Sequence, residues 1–437
     1  LNLSIQKLPY PRNLLAHYSA LHSLPGFVLL QSGNKELGRY DILSAFPYDE
    51  LKVDQNITHS GAAFEKIQQT LANQTSHFNI PFQGGAIGYV SYDFGAACAG
   101  IYKKPHPLLE KMPLLDMKYY DWGIIVDHQL KEVLVVNANQ NKETKDLIGQ
   151  AIALWNQPVF EKTKGLFKEK FTAIISKKMY QQKINKIANY LQRGRVYQVN
   201  FTQPFLAEYE GSLWDYYQRI ISINRVPYGS FLQCHPYHIL SFSPERFLLY
   251  DHGDVLTSPI KGSSPRSQNR DQDHQLAQAL EQSTKNKAEN IMIVDLLRND
   301  LGKFAIPGSV NVGQLLQLQS YNSVHHLVSH IEAKCEKNVS PWEVFLNCFP
   351  GGSITGAPKK EAMEVIAEME EYSRGVYCGA IGYFSNHPRF DFNIAIRTII
   401  AHESKMYLAA GGGIVIDSEW EQEYEECYTK IAAFLND

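Results

Sequence analysis

The sequence predicts an α/β (α+β) protein in which a strand-rich first part, residues 1–160, is followed by residues 161–437, the two forming one intertwined globular unit. Three observations carry this. Stretches rich in β-branched and aromatic residues, punctuated by Gly and Asp, recur from about residue 24 to 137. Apolar residues fall at helical spacing in "KKMYQQKINKIANYLQRG" and from about Asp271 to Arg298. Strands and helices alternate in the C-terminal part around the glycine clusters "FPGGSITGAPKK" and "AAGGGIVID".

In chain order, "GFVLLQSG", "FQGGAIGYVSYDFG" and "WGIIVDHQLKEVLVV" read as strands, and "KETKDLIGQAIALW" as a helix. The lysine-rich, poorly periodic "NQPVFEKTKGLFKEKF" marks the boundary near residue 160. The helix that follows should stop at Gly194, since glycine suits the left-handed position after a helix end. "RVYQVNFTQPF", "SFLQC", "HILSFSPERFLLY" and "DVLTSPI" then read as strands before one long helix through "AENIMIVDLLRND". No internal repeat points to a solenoid.

The chain has 437 residues, 44% of them apolar, enough to bury a large core. Its net charge of −3, with scattered basic residues, argues against nucleic acid or an acidic membrane surface as a partner. The six cysteines are widely spaced, as in a reduced cytoplasmic protein, and no apolar run is long enough for a membrane span.

Taken alone, Lys261 in "LTSPIKGSSPR" reads as a solvated loop charge. The glycines before Pro358 resemble a helix entry that binds carboxylate or phosphate. A nucleotide loop is excluded because Ala357 and Pro358 precede Lys359 and no Ser or Thr follows it. Glu423 and Glu426 share a helix face. With Glu289 they would suit Mg²⁺, a hard cation that prefers oxygen ligands. His326 and His330 have zinc-like spacing but lack a completing ligand, so ordinary histidines are the better reading. "GVYCGAI" lacks the glycines of a nucleophile elbow, with Val376 and Ala380 in their places.

The motifs "GRVYQVNFTQPF", "SFSPERF", "PIKGSSPR", "AENIMIVDLLRNDLG", "VHHLVS", "FPGGSITGAPK", "YCGAIGY", "IAIRT" and "GGGIVIDSEWEQEYEE" occur in this order. Together they resemble the chorismate-using enzymes, the family of anthranilate, aminodeoxychorismate, isochorismate and salicylate synthases. The resemblance covers nearly the whole chain. Within it, members that add water to chorismate C2 have a lysine base where this chain has Gln198. "PIKG" resembles the aminodeoxychorismate branch, whereas anthranilate synthases have "PIAG".

The resemblance implies two facing, mostly antiparallel sheets flanked by helices, with the active site between lobes. It implies that Lys261 is the nucleophile for amination at C4, and that Glu245 is the general acid and then base. Deprotonating a lysine at pH 7 costs roughly 4.6 kcal/mol at its reference pKa, so the site must supply desolvation or a base. Glu289 and Glu426 match metal ligands for Mg²⁺, with Glu423 acting directly or through water. Arg397 and Tyr377 match the pair holding the enolpyruvyl carboxylate. Gln198, Gly412, Gly413 and Lys430 match further substrate-binding positions, and His326 and Thr355 lie beside the ring. Ser32, Pro227 and Tyr228 match a tryptophan pocket, which here takes either tryptophan or its own side chains. Ammonia is expected from a separate glutamine amidotransferase subunit, and a lyase would complete 4-aminobenzoate on the way to folate. Two alternatives are an anthranilate synthase component I, which aminates C2, and a non-catalytic tryptophan-binding paralogue.

Overall fold

The computed structural model describes residues 3–33, 38–55, 78–160, 167–320 and 324–435. Among these, the chain forms one twelve-stranded and one ten-stranded sheet, and every pairing within them is antiparallel. Alternating strands with short connections favour this arrangement over a parallel sheet, which needs long crossovers. The first sheet carries Tyr228–Cys234, Tyr237–Ser243, Thr398–His402, Lys405–Ile414 and Gln198–Tyr209 as successive neighbours. The second carries Ile260–Pro265, Val324–Lys334, Asp254–Ser258, Arg246–Asp251, Arg389–Ile394 and Ala380–Ser385 in that order.

Strands from both sides of residue 160 share each sheet. Val28–Gln31 pairs with Tyr228–Cys234 in the first, and Gly85–Val90 with Ala380–Ser385 in the second. The segment 161–166, where the boundary is expected, lies outside the described residues. A single apolar cluster joins Phe82 and Ile124 to Tyr383 and Phe434.

The helices follow their local signals. Lys177–Gln192 starts at Ser176, whose hydroxyl accepts from the Met179 N–H at 3.2 Å, and it buries Tyr180, Ile184, Ile187 and Leu191 along one stripe. Gly194 follows its end with φ +70°, in the left-handed region where a side chain is strained. The single long helix expected from Asp271 to Arg298 is in fact two, Arg270–Gln282 and Thr284–Gly302. Ser283 takes an extended conformation between them and caps the second through the Asn286 N–H. Between Leu280 and Ile291 the sequence is polar apart from Ala288, so no apolar pattern marks where one helix ends and the next begins. The second half of "FQGGAIGYVSYDFG" is also a short helix, Tyr92–Cys98, started by the Ser91 cap. No described helix is long and apolar enough to cross a membrane, and among the described residues no disulfide joins two cysteines.

Candidate active site

Two neighbouring segments carry the chain from one sheet to the other, and both hold predicted site residues. Residues 244–245 join Tyr237–Ser243 of the first sheet to Arg246–Asp251 of the second, and 395–397 make the return from Arg389–Ile394 to Thr398–His402. Strands that change sheets must bend, which opens a corner between the layers. Backbone bonds stitch the corners together: the Ile394 N–H donates to the Glu245 carbonyl at 3.0 Å, and the Phe242 N–H to the Arg397 carbonyl at 3.0 Å. The Tyr377 loop joins them through the Cys378 N–H, which donates to the Ala395 carbonyl at 2.9 Å.

Glu245 is buried, and burial pushes its carboxyl pKa up against the opposing pull of Lys261 and the Ser353 hydroxyl. Arg397 has φ +52°, and its guanidinium makes no hydrogen bond or ion pair with the described residues. Burial alone lowers its pKa. An unpaired, desolvated guanidinium is costly unless an anion arrives to pair with it.

Lys261 does not sit in a solvated turn. It lies within the strand Ile260–Pro265, at a register shift between Ile260 and Ser263 against the strand Val324–Lys334. A β-bulge of this kind re-aims side chains, and Gly262, with φ +84°, supplies the left-handed residue it needs. The Lys261 amine donates to the Ser353 carbonyl at 3.1 Å. Burial lowers its pKa, opposed by the charges of Glu245, Glu289 and Glu426 and assisted by Lys430. Burial thus acts on the amine in the direction that a neutral nucleophile needs. Beside the bulge, His326 pairs through Nδ1 with the Ser263 hydroxyl at 2.8 Å. Burial first, and the Arg397 charge second, push its pKa down to about 4, so the ring is neutral at pH 7.

The carboxylates come from the C-terminal helix Trp420–Leu435, which packs on the strand Lys405–Ile414. A Cβ at Gly412 would stand 3.0 Å from Glu423 Oε2, 3.5 Å from Glu426 Oε1 and 3.5 Å from Lys430 Nζ. Glycine here is what lets the three side chains converge on the strand. Lys430 pairs with Glu426 and also donates to the Gly411 carbonyl at 2.8 Å. A Cβ at Gly413 would meet Gln198 Nε2 at 2.9 Å. The Gln198 side chain is fully buried, and neither its oxygen nor its nitrogen has a hydrogen-bond partner among the described residues.

Among the described residues no three acidic, His or Cys groups are gathered into a metal cage. Glu423 and Glu426 do meet over Gly412, and Glu289 shares with Glu426 the Lys261 amine as an electrostatic partner. That donor set fits Mg²⁺, which commonly takes one or two carboxylates and completes its shell with water and substrate. Thr355 is fully buried and donates its proton to the Gly351 carbonyl at 3.0 Å, leaving only acceptor capacity for a ligand. His326 and His330 lie on a strand and pair separately, His330 with the Ser258 hydroxyl at 2.9 Å, in keeping with ordinary histidines.

Sequence reasoning missed Ser353 and Arg374. Ser353, in the tight turn Gly352–Ile354, donates its hydroxyl to Glu245 Oε1 at 2.8 Å. Arg374 is buried in a fork on Glu370 and donates to the carbonyls of Ile354 at 2.8 Å and Asn200 at 2.6 Å. Asp93 fixes the same loop by accepting from the Gly375 N–H at 2.8 Å. The only signal available was the four-residue spacing of Glu370 and Arg374, which on a helix makes a pair.

Ser32, Pro227 and Tyr228 come together elsewhere, around a cavity of about 300 Å³. Its charged walls are paired internally. Arg246 forms a two-pronged bond to Asp391, 3.0 Å on each prong, and covers the Tyr228 ring.

Residues 26–436 match the family model described as chorismate binding enzyme. The chain is 37% identical to aminodeoxychorismate synthase component 1 of Salmonella typhimurium, covering all of this chain and 98% of that one. It is 30% identical to anthranilate synthase component 1 of Acetivibrio thermocellus, over 93% of this chain and 89% of that one. The crystal structure of anthranilate synthase component I from Streptococcus pneumoniae superposes with a TM-score of 0.82 at 27% identity, over 91% of this chain and 92% of that one. With its sheet-changing corners, glycine cradle and full-length relatives, this chain belongs to the chorismate-binding enzyme family.

Proposed function

We propose that this chain aminates chorismate at C4, the reaction for which its aminodeoxychorismate synthase component 1 relatives are named. The observation that carries this reading is Lys261: a desolvated amine on a β-bulge, linked through Ser353 to a buried carboxyl. In the first step the neutral amine attacks C2, both ring double bonds shift, and the C4 hydroxyl departs as water with a proton from Glu245. Ammonia then attacks C4, the double bonds return, and the lysine amine leaves C2. The second displacement removes the lysine that the first added, and Glu245 recovers its proton from the incoming ammonia, so the net reaction exchanges hydroxyl for amine and releases water.

Arg397 and Tyr377 would hold the enolpyruvyl carboxylate, for which a guanidinium fork is well shaped. Gln198, the N–H groups of Gly412 and Gly413, and Lys430 would bind the rest of the substrate, with His326 and Thr355 beside the ring. Glu289, Glu423 and Glu426 would hold Mg²⁺, which when bound supplies positive charge against the ring carboxylate. A separate glutamine amidotransferase subunit would provide ammonia in the cytoplasm, and a lyase would release 4-aminobenzoate for folate synthesis. The cavity at Ser32, Pro227 and Tyr228 is of a size for an amino acid, and we read it as a tryptophan pocket.

The relatives named anthranilate synthase support a second reading, amination at C2. Lys261 weighs against it, because a lysine at C2 occupies the approach that ammonia would need. Purified chain, chorismate, Mg²⁺ and excess ammonium, with products identified by liquid chromatography and mass spectrometry, separate the two. Aminodeoxychorismate is the expected product, and anthranilate would overturn the C4 assignment.

A further inference from the structure

We infer that Ser353 is a positioning residue that sets the general acid and the nucleophile relative to each other. The inference rests on the roles proposed above for Glu245 and Lys261. Ser353 holds both partners at once: its hydroxyl donates to Glu245 Oε1 at 2.8 Å, and its carbonyl accepts from Lys261 Nζ at 3.1 Å.

Each bond restricts one reactive atom. With Oε1 accepting from Ser353, the acid's proton is carried on Oε2, the oxygen left to face the departing hydroxyl. A neutral amine has one lone pair, so committing one of its N–H bonds to the Ser353 carbonyl limits where that pair points. The residue is itself anchored. It is buried in the turn Gly352–Ile354, whose ends are tied by the Thr355 hydroxyl to the Gly351 carbonyl and by Arg374 to the Ile354 carbonyl. Glu245 lies on the segment that joins the two sheets and Lys261 on the strand Ile260–Pro265, and Ser353 belongs to neither. A third element therefore fixes the pair.

The test compares wild type, Ser353→Ala and Ser353→Thr, alone and combined with Glu245→Gln, using chorismate and saturating ammonium across pH. Thermal unfolding is followed in parallel to confirm that each variant is folded. Ser353→Ala should lower kcat by roughly ten- to a hundredfold, as expected for a misplaced reacting group, while KM for chorismate stays within about twofold. Ser353→Thr, which keeps the hydroxyl and the carbonyl, should recover most of the loss. The pH limb governed by Glu245 should move upward in the alanine variant, since the lost bond favoured the charged carboxylate. The charged and titratable groups acting on that carboxyl, Lys261, Lys430 and Cys378, are unchanged by the substitution.

In the Glu245→Gln background the alanine substitution should cost much less, because the two residues act as a unit. An unmoved limb, a loss expressed in KM, or full additivity with Glu245→Gln would reduce Ser353 to a structural residue. In an active enzyme those results overturn this inference alone. A wild type that makes no aminated product overturns the functional reading and this inference together.

Discussion

The candidate active site and the Ser32–Tyr228 cavity both hold arginine and carboxylate side chains, and they differ in how the arginine is matched. Around the cavity the charges are matched: Arg246 is locked on Asp391, and Arg39 donates twice to Asp127. Pairing raises the pKa of both arginines, with burial opposing it. In the candidate active site Arg397 makes no hydrogen bond or ion pair with the described residues and burial lowers its pKa, burial lowers that of Lys261 too, and the Gln198 amide has no hydrogen-bond partner among the described residues. Among the described residues arginine is thus matched at the cavity and unmatched at Arg397, the arrangement that a site for an anion would need. The matched region contributes to the fold. The unmatched region is held in place by the rest of the structure at a cost in stability.

The sharpest way to break this comparison is at the nucleophile. Lys261→Ala should reduce amination at C4 by at least on the order of a thousandfold, as removal of a covalent catalyst does, measured as aminodeoxychorismate formed with ammonium. Undiminished product would sink the covalent route.

Next come the two arginines. Arg246→Met should destabilise the fold by about 3 kcal/mol, because Asp391 is left without its partner, read as a lower denaturation midpoint. Arg397→Met should leave the free protein as stable or more so, and raise KM for chorismate by about ten- to a hundredfold through the lost charge-assisted bonds. Equal destabilisation by the two substitutions would mean that the contrast between the regions is false.

A smaller effect concerns pH. The Glu245 pKa is raised in the fold above its ordinary value of 4.5, so the charged carboxylate costs stability at neutral pH. That cost disappears as pH falls through the folded pKa toward the unfolded one. Glu245→Gln should therefore raise the unfolding temperature at pH 7, and the gain should fade below about pH 4.5. A gain independent of pH would assign the effect to packing instead.

The smallest effect is at the cavity. Tyr228→Ala should leave kcat with chorismate and ammonium within about twofold, while abolishing any rise in melting temperature produced by tryptophan. A large loss of turnover would mean that the cavity is coupled to catalysis.

How much of this the sequence could disclose depended on distance along the chain. The pairing of Glu423 with Glu426 is local, set by helical spacing, and both reach Gly412 as the periodicity implies. The end of the helix at Gly194 and the strand at Gln198–Tyr209 were also local signals. The setting of Lys261 was not legible. Its bulge depends on register against a strand more than sixty residues away, since Ser263 faces His326, and a turn residue and a bulge residue have the same local sequence. Ser353 was missed for the same reason, its two partners lying 108 and 92 positions distant. The break at Ser283 did carry a local signal, a serine cap within a polar stretch from Glu281 to Asn290 in which only Ala288 is apolar. The family resemblance supplied what local chemistry could not: which distant residues meet.

The most direct measurement of the central claim is a mass analysis of the chain itself. Purified protein is mixed with chorismate and Mg²⁺ in the absence of ammonium and glutamine, quenched, digested and mapped by mass spectrometry. The account predicts an adduct of chorismate less one water on the peptide bearing Lys261, which disappears when ammonium is added before the quench. A Lys261 peptide that stays unmodified while the same preparation forms aminodeoxychorismate on adding ammonium would contradict it.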